Sequence, residues 1–349
     1  MPPLFSTIGA TSLTAILLSS TSTAYPSSHR PTFDWANTKH LITFGDSYTY
    51  VQGTSGLQNY SFIGDAQHFS FTPPQLLANR IVQNSTATAE GGPNWVEFLT
   101  GCGLEPGLTD PQSCDKQLWD FAFAGADVSV RPETPLHHNY TVSFVQQVEQ
   151  FVAYGNPVLE EYVFLDKSRT LVGIWIGIND IGDSSTYSLD FPAFYKNVTA
   201  TLFDSVREIY RLGYRKFLFM QLPPLDRTPP NLVRAAGPRP NASMVDWWNE
   251  ALADGIAGFE RELEDVNVMV FETTGFLNYV LDHAEEFAIR NTTGYCAGYN
   301  QPVVGSDPGR YGCEPLGEYF WFNKGHMTSH THEILAGKVE QFLVAQSEG

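Results

Sequence analysis

The sequence has no uninterrupted apolar run of about 18 residues, so no helix is expected to span a membrane. It has few basic residues, with 20 Lys and Arg against 38 Asp and Glu, and a formal net charge of −18. A surface with this much negative charge repels polyanions, which argues against nucleic acids and anionic membranes as partners. Linkers, low-complexity tracts and internal repeats are also missing between residues 33 and 345, which favours a single domain.

Cysteine is scarce, and none of the four residues has Cys-x-x-Cys spacing, which makes a zinc site a poor interpretation. Four cysteines allow three pairings. We favour the local pairing, in which Cys102 forms a disulfide with Cys114 and Cys296 forms one with Cys313. Disulfides agree with export from the cell.

The start of the chain indicates the same. An apolar stretch at 13–18 is followed by the small residues 22–24, although no Lys or Arg precedes it. We predict a signal peptide over residues 1–24, one domain over 25–349, and a secreted monomer. Asn-x-Ser/Thr sequons, which predict glycosylation, occur at Asn59, Asn84, Asn139, Asn197, Asn241 and Asn291.

Short apolar runs separated by helical patterns predict an α/β protein with a parallel sheet that is covered on both faces. The runs are 40–44, 119–124, 171–176, 216–222 and 266–271. The clearest helical patterns are 190–212 and 244–263, and a shorter one includes Phe144, Val148 and Phe151. Ligands of such a sheet bind beyond the carboxyl ends of the strands.

Three polar or glycine positions follow such runs directly, and they are expected to meet at that edge. Ser47 lies at a strand-to-helix turn, and Gly125 and Asn179 follow the second and third runs. A serine nucleophile needs a base, which His326 near the end of the chain could supply. The N–H groups of Ser47 and Gly125 and the Asn179 amide could then hold an oxyanion. Each residue also has an ordinary alternative, as a helix N-cap, a turn glycine or a turn asparagine.

The ordered set resembles a known family. Gly45-Asp46-Ser47, Gly125, Gly177-x-Asn179-Asp180 and His326 are similar to the four blocks of the SGNH (GDSL-like) esterases and lipases. Residues 44–49, 94–96, 120–126 and 223–225 resemble its fungal secreted branch, carbohydrate esterase family sixteen. The resemblance covers about residues 33–345. It implies a flavodoxin-like three-layer αβα sandwich with a central five-stranded parallel sheet, and the removal of acetyl groups from sugars.

One position departs from the family, which has an Asp three residues before its catalytic His where this chain has Asn323. Asn323 could orient His326 without a charge. A carboxylate of the preceding loop, Asp307, Glu314 or Glu318, could take the place of the Asp. Alternatively, the protein is impaired and binds carbohydrate more than it cleaves it.

The resulting hypothesis is a secreted serine esterase that acts on small-molecule or oligosaccharide esters, with acetyl groups on plant cell-wall oligosaccharides as the expected substrates. No cofactor is expected. A metal is not expected either, because His326 and His330 lack the Glu of a His-Glu-x-x-His site. Tyr48 and Trp321 are candidates for stacking against a sugar. The alternatives are a lipase or phospholipase on the same fold, or a non-catalytic carbohydrate-binding homologue.

Overall fold

Five parallel strands form the central sheet. The computed structural model describes residues 31–65 and 71–347, so the predicted signal peptide lies outside the described residues. The strands are β1 His40–Gly45, β2 Ile81–Gln83, β3 Gly107–Thr109, β4 Gln117–Asp120, β5 Thr170–Trp175, β6 Lys216–Met220 and β7 Asn267–Phe271. The sheet has the order β4-β1-β5-β6-β7, and β2 pairs with β3 in a separate antiparallel ribbon. Counted within the sheet, the order is 2-1-3-4-5, which is that of flavodoxin.

Helices cover both faces of this sheet. They are α1 Pro73–Ala78, α2 Trp95–Thr100, α3 Phe144–Gln150, α4 Asn156–Tyr162, α5 Ile178–Ser184, α6 Phe191–Arg211, α7 Pro229–Leu232, α8 Ala242–Glu262, α9 Thr273–Asp282 and α10 Ser329–Gln346. Helix α6 packs on α3 and α8, and α2 packs on α10. Every residue of β1 and β5 is buried, as expected for strands with a helical layer on each side. The predicted α/β sandwich is therefore confirmed, and no described helix is long and apolar enough to cross a membrane.

The second predicted strand is placed too late in the chain. The run at 119–124 suggested a strand up to Gly125, whereas β4 ends at Asp120. Beyond Asp120 the backbone still contacts β1, because the N–H groups of Phe121 and Phe123 donate to the Thr43 and Gly45 carbonyls. The Asp120 carboxylate accepts the N–H of Ala122 between them at 3.0 Å. Gly125 consequently lies in a loop beyond the strand.

Both predicted disulfides are present, Cys102–Cys114 and Cys296–Cys313. The first joins the end of α2 to the segment before β4. The second lies in a small cluster of buried residues that is separate from the main core. Local pairing is confirmed, and it fixes two long loops.

The predicted glycosylation sites are accessible to different degrees. Five of the six sequon asparagines are exposed, whereas Asn291 is partly buried. Its side-chain oxygen accepts the N–H groups of Thr293 and Gly294 at 3.2 and 2.8 Å. Glycosylation itself stays a prediction.

Candidate active site

The end of β1 places Ser47 at the point where the strand order reverses, because β4 lies on one side of β1 and β5 on the other. The Gln147 side chain clamps Gly45, accepting its N–H at 3.0 Å and donating to its carbonyl at 2.8 Å. A Cβ at Gly45 would lie 2.3 Å from the Trp175 carbonyl oxygen, so only glycine fits there. The backbone that leads into Ser47 is therefore held from two sides.

Ser47 lies in a single hydrogen-bonded turn rather than at the start of a helix. The N–H groups of Thr49 and Tyr50 donate to the Asp46 carbonyl, and that of Tyr48 donates to the Asp46 carboxylate. The next helix, α1, begins only at Pro73, so the expected strand-to-helix turn is wrong and Ser47 is not a helix N-cap. Burial raises the pKa of Asp46 to about 8.

His326 reaches Ser47 from the loop before α10. Its Nε2 atom lies 2.8 Å from the Ser47 Oγ. The loop is a tight turn, in which the Phe322 N–H donates to the His326 carbonyl at 2.8 Å. The two residues are 279 positions apart in the chain, and the structure brings them into direct contact.

Asn323 holds the other side of the imidazole. Its Oδ1 atom lies 2.9 Å from His326 Nδ1 and accepts the backbone N–H groups of Gly325 and His326, both at 3.0 Å. The two backbone N–H groups require an oxygen there, since an NH₂ group would face them with its own hydrogens, and an amide oxygen can only accept from Nδ1. Nδ1 therefore carries the ring proton, and Nε2 is left to accept the Ser47 proton.

The His326 imidazole has no charged partner. Burial lowers its pKa from 6.5 to about 4, and among the described residues no carboxylate contacts the ring. Glu318 pairs with Arg290, and the Asp307 carboxylate caps the Arg310 N–H. The interpretation in which Asp307, Glu314 or Glu318 replaces the missing Asp is therefore not supported.

Two backbone donors remain unused, one in the turn after β1 and one in the loop after β4. Within residues 31–65 and 71–347, the N–H groups of Ser47 and Gly125 donate to no acceptor. Gly125 has φ +83°, a conformation that favours glycine, and a Cβ there would lie 3.1 Å from that of His137. Unpaired N–H groups at a turn are the donors that an oxyanion hole needs.

A hydrogen bond fixes the Asn179 side chain to the loop that contains Gly125. It is the second residue of α5, and its Nδ2 atom donates to the Ala126 carbonyl at 2.8 Å. The second hydrogen of that NH₂ group is left for another acceptor. The neighbouring Asp180 carboxylate accepts the N–H of Val128 at 3.0 Å, which joins the Gly125 loop to α5 a second time.

The two aromatic residues expected to stack on a sugar are both fully buried, so this expectation is wrong. The Tyr48 hydroxyl donates to the Gly325 carbonyl, and its ring lies against Trp175 and His326. The Trp321 indole N–H donates to the Thr292 carbonyl at 3.1 Å. Tyr48 instead joins the serine turn to the histidine turn.

Sequence reasoning missed the pocket beside Asn323. It has a volume of about 330 Å³, and none of the described residues that line it is Asp, Glu, Lys or Arg. Its wall includes Tyr50, Thr86, Ala89, Tyr299, Gln301 and Phe322. These come from irregular loops without a periodic pattern, so only the proximity of Tyr50 and Phe322 to the motifs could have indicated it.

Comparison with known proteins agrees with this geometry. Residues 41–339 match the family model described as GDSL-like Lipase/Acylhydrolase. The chain belongs to the GDSL-like lipase/acylhydrolase family. This confirms the resemblance seen in the sequence, and the protein is a carboxylic ester hydrolase.

The curated GDSL relatives include fungal and plant proteins. An acetylesterase of Thermothelomyces thermophilus is 27% identical over 74% of this chain and 78% of its own length. An acetylesterase of Hypocrea jecorina is 26% identical over 65% of this chain and 59% of its own. The GDSL esterase/lipase 2 of Arabidopsis thaliana is 23% identical over 86% and 85%.

Proposed function

We propose that the protein is a serine esterase that removes acetyl groups from neutral carbohydrates, with oligosaccharides of the plant cell wall as its substrates. The observation that carries the proposal is the 2.8 Å contact between Ser47 Oγ and His326 Nε2, beside two unused backbone N–H groups. The acetylesterase relatives support the acetyl specificity.

In the proposed reaction, Ser47 Oγ bonds to the ester carbonyl carbon while its proton moves to His326 Nε2. The N–H groups of Ser47 and Gly125 and the second Asn179 hydrogen hold the oxyanion. His326 then gives the proton to the departing sugar hydroxyl, leaving an acetyl group on Ser47. A water molecule then loses a proton to His326 as its oxygen bonds to the acetyl carbon. His326 passes that proton to Ser47 Oγ as the bond to the serine breaks and acetate leaves.

The pocket beside Asn323 supports a neutral substrate. The described residues of its walls offer hydroxyl, amide and aromatic groups but no charged side chain. A phospholipid headgroup would need a basic partner for its phosphate. A sugar needs hydrogen-bonding groups together with an apolar face, which this pocket provides. We therefore favour the carbohydrate esterase over the phospholipase.

We also propose that the protein is exported as a glycosylated monomer, with residues 1–24 as its signal peptide and 25–349 as a single domain. The two disulfides and the exposed sequons support this proposal. Mass spectrometry of the secreted protein would locate its N-terminus and its glycans. A mature chain that retains residues 1–24 would contradict the proposal.

The substrate is tested with a series of 4-nitrophenyl esters of increasing acyl length and with acetylated oligosaccharides. We expect acetate to be cleaved faster than octanoate, and acetate to be released from the oligosaccharides. Faster cleavage of octanoate would favour a lipase. No cleavage of either, with retained oligosaccharide binding, would favour the non-catalytic homologue.

A bulky residue in the pocket tests where the sugar binds. We expect Ala89→Phe to raise the KM for an acetylated oligosaccharide about tenfold, which corresponds to a loss of about 1.4 kcal/mol of binding free energy. The KM for 4-nitrophenyl acetate should be unchanged. Ala193→Phe, on the exposed surface of α6, is the matched control. Equal effects of both variants would place the sugar elsewhere.

A further inference from the structure

Asp127 is a buried carboxyl group without a partner. Its side chain lies two residues beyond Gly125, is 2% exposed, and neither of its oxygens has a hydrogen-bond partner among the described residues. Buried polar groups are nearly always satisfied, and an unsatisfied one calls for an explanation such as an ion. Asp127 has no part in the proposed esterase reaction.

Two further metal-binding side chains face this carboxyl group. One ligand atom each of Asp127, His137 and Asp183 lies within 4.8 Å of the others. The His137 Nδ1 atom is 3.2 Å from the Asp183 carboxylate, and both side chains are about one-third exposed. The cluster is thus closed on the Asp127 side and accessible to solvent on the other.

We propose that Asp127, His137 and Asp183 form a binding site for a divalent transition-metal ion, with Zn²⁺ as the best match. An imidazole with two carboxylates suits Zn²⁺ better than Ca²⁺ or Mg²⁺, which prefer oxygen ligands alone. Zn²⁺ bonds of about 2.0–2.2 Å would bring the ligand atoms of one ion closer together than the 4.8 Å within which these three atoms lie. His137 and Asp183, whose side chains are about one-third exposed, can rotate inward, and water would complete the coordination.

The site joins the two segments proposed to bind the oxyanion. Asp127 belongs to the Gly125 loop, and Asp183 lies one helical turn after Asn179 in α5. The third ligand, His137, packs over Gly125. A bound ion would therefore fix the Gly125 loop against α5. Its role is positional, because the three ligands are not among the groups assigned to the reaction.

No metal was expected from the sequence, because His326 and His330 lack the Glu of a His-Glu-x-x-His site. Asp127 and His137 come from one loop, and Asp183 comes from α5. The helical spacing of Asn179 and Asp183 was visible in the sequence. The approach of His137 was not, because it depends on the course of the loop.

The test is Zn²⁺ binding to the untagged full chain after dialysis against a chelator, followed by calorimetry and thermal unfolding. We expect one Zn²⁺ per chain and a higher Tm. Affinity should fall at least about tenfold in His137→Gln and in Asp183→Asn, since each loses one ligand. The controls are His283→Gln and Asp204→Asn, two exposed residues outside the cluster.

The same titration in Ser47→Ala separates this proposal from the esterase, since the metal site does not use Ser47. The proposal is overturned if the wild type takes up no Zn²⁺, or if His137→Gln binds it as tightly as the wild type. Tighter binding of Ca²⁺ than of Zn²⁺ would overturn the ligand assignment. Circular dichroism of each variant shows whether it is folded.

Discussion

The Asn323 Oδ1 atom lies 2.9 Å from His326 Nδ1, and two backbone N–H groups point at the same oxygen. The turn therefore determines which way the amide faces. This relationship preserves the ring orientation and tautomer that a carboxylate would impose. It supplies no negative charge for the imidazolium that forms during the reaction.

Restoring the carboxylate should raise the activity. In a trypsin-type triad, Asp-to-Asn costs about 10⁴ in rate because the histidine takes the wrong tautomer. Here the turn enforces the productive tautomer, so only the charge is missing. We expect Asn323→Asp to raise kcat/KM for 4-nitrophenyl acetate about 10- to 100-fold, well short of that factor.

The same variant should change the pH profile. Only neutral His326 can accept the Ser47 proton, and burial lowers its pKa to about 4, so the acidic limb of kcat/KM should lie near pH 4. A carboxylate at position 323 stabilises the protonated ring, so the limb should move to higher pH. Asn323→Ala, which loses the oxygen, is the control and should lower kcat. An unchanged limb in Asn323→Asp would show that position 323 does not act through His326.

Asn179 should matter for the transition state more than for binding. If its second amide hydrogen meets the oxyanion, Asn179→Ala should lower kcat about 10²- to 10³-fold and leave KM nearly unchanged. Steady-state kinetics on 4-nitrophenyl acetate measures both. Asn278→Ala is the control, because Asn278 is bonded to Arg227 and has no part in the proposed reaction. A rise in KM with normal kcat would place Asn179 in substrate binding instead.

Tyr48 should contribute to stability through its buried hydroxyl. Tyr48→Phe leaves the Gly325 carbonyl without its donor, so the free energy of unfolding should fall by about 1–3 kcal/mol. We also expect a several-fold lower kcat, because the serine and histidine turns lose a connection. Urea unfolding measures the first effect. Tyr279→Phe, at an exposed tyrosine, is the matched control and should change neither quantity.

Stability should decrease from about pH 6.5 to pH 8.5. Burial raises the pKa of Asp46 to about 8 and those of Asp120 and Asp180 to about 7, from 3.8. The folded state therefore binds more protons than the unfolded state in this window, so the free energy of unfolding falls as the pH rises. His326 and His332, whose pKa values are both lowered by desolvation, act in the opposite sense only below about pH 6.5, where unfolded histidines take up protons. Calorimetry with chelator present should give a lower Tm at pH 8.5, and a higher Tm there would contradict the argument.

Much of the fold could be predicted because the strands are buried on both faces. The continuous apolar runs predicted all five sheet strands, and three of the strands both begin and end within a residue of the expected position. The second differs most, because β4 begins before the apolar run and ends at Asp120, although Phe121 and Phe123 still donate to β1. How far an apolar run continues as a regular strand depends on its neighbours in space. Local pairing of the cysteines was predictable from their spacing.

The site was predictable in its members but not in its details. The order of Ser47, Gly125, Asn179 and His326 indicated which segments meet. The role of Asn323 depends on three donors converging on one oxygen, which a one-residue change in the turn would alter. The burial of Tyr48 depends on side chains of α10 and β5. The neutral pocket is formed by loops, and two of the three residues of the Asp127 cluster also come from a loop, whose course no periodicity determines.

The central claim is that His326 activates Ser47 although position 323 has no charge. Labelling of the purified protein with a fluorophosphonate, followed by intact mass and peptide mapping, tests it most directly. We expect one adduct per chain, located on Ser47, which is absent in Ser47→Ala and forms far more slowly in His326→Ala. A wild type that stays unlabelled, or an adduct on another residue, would contradict the account.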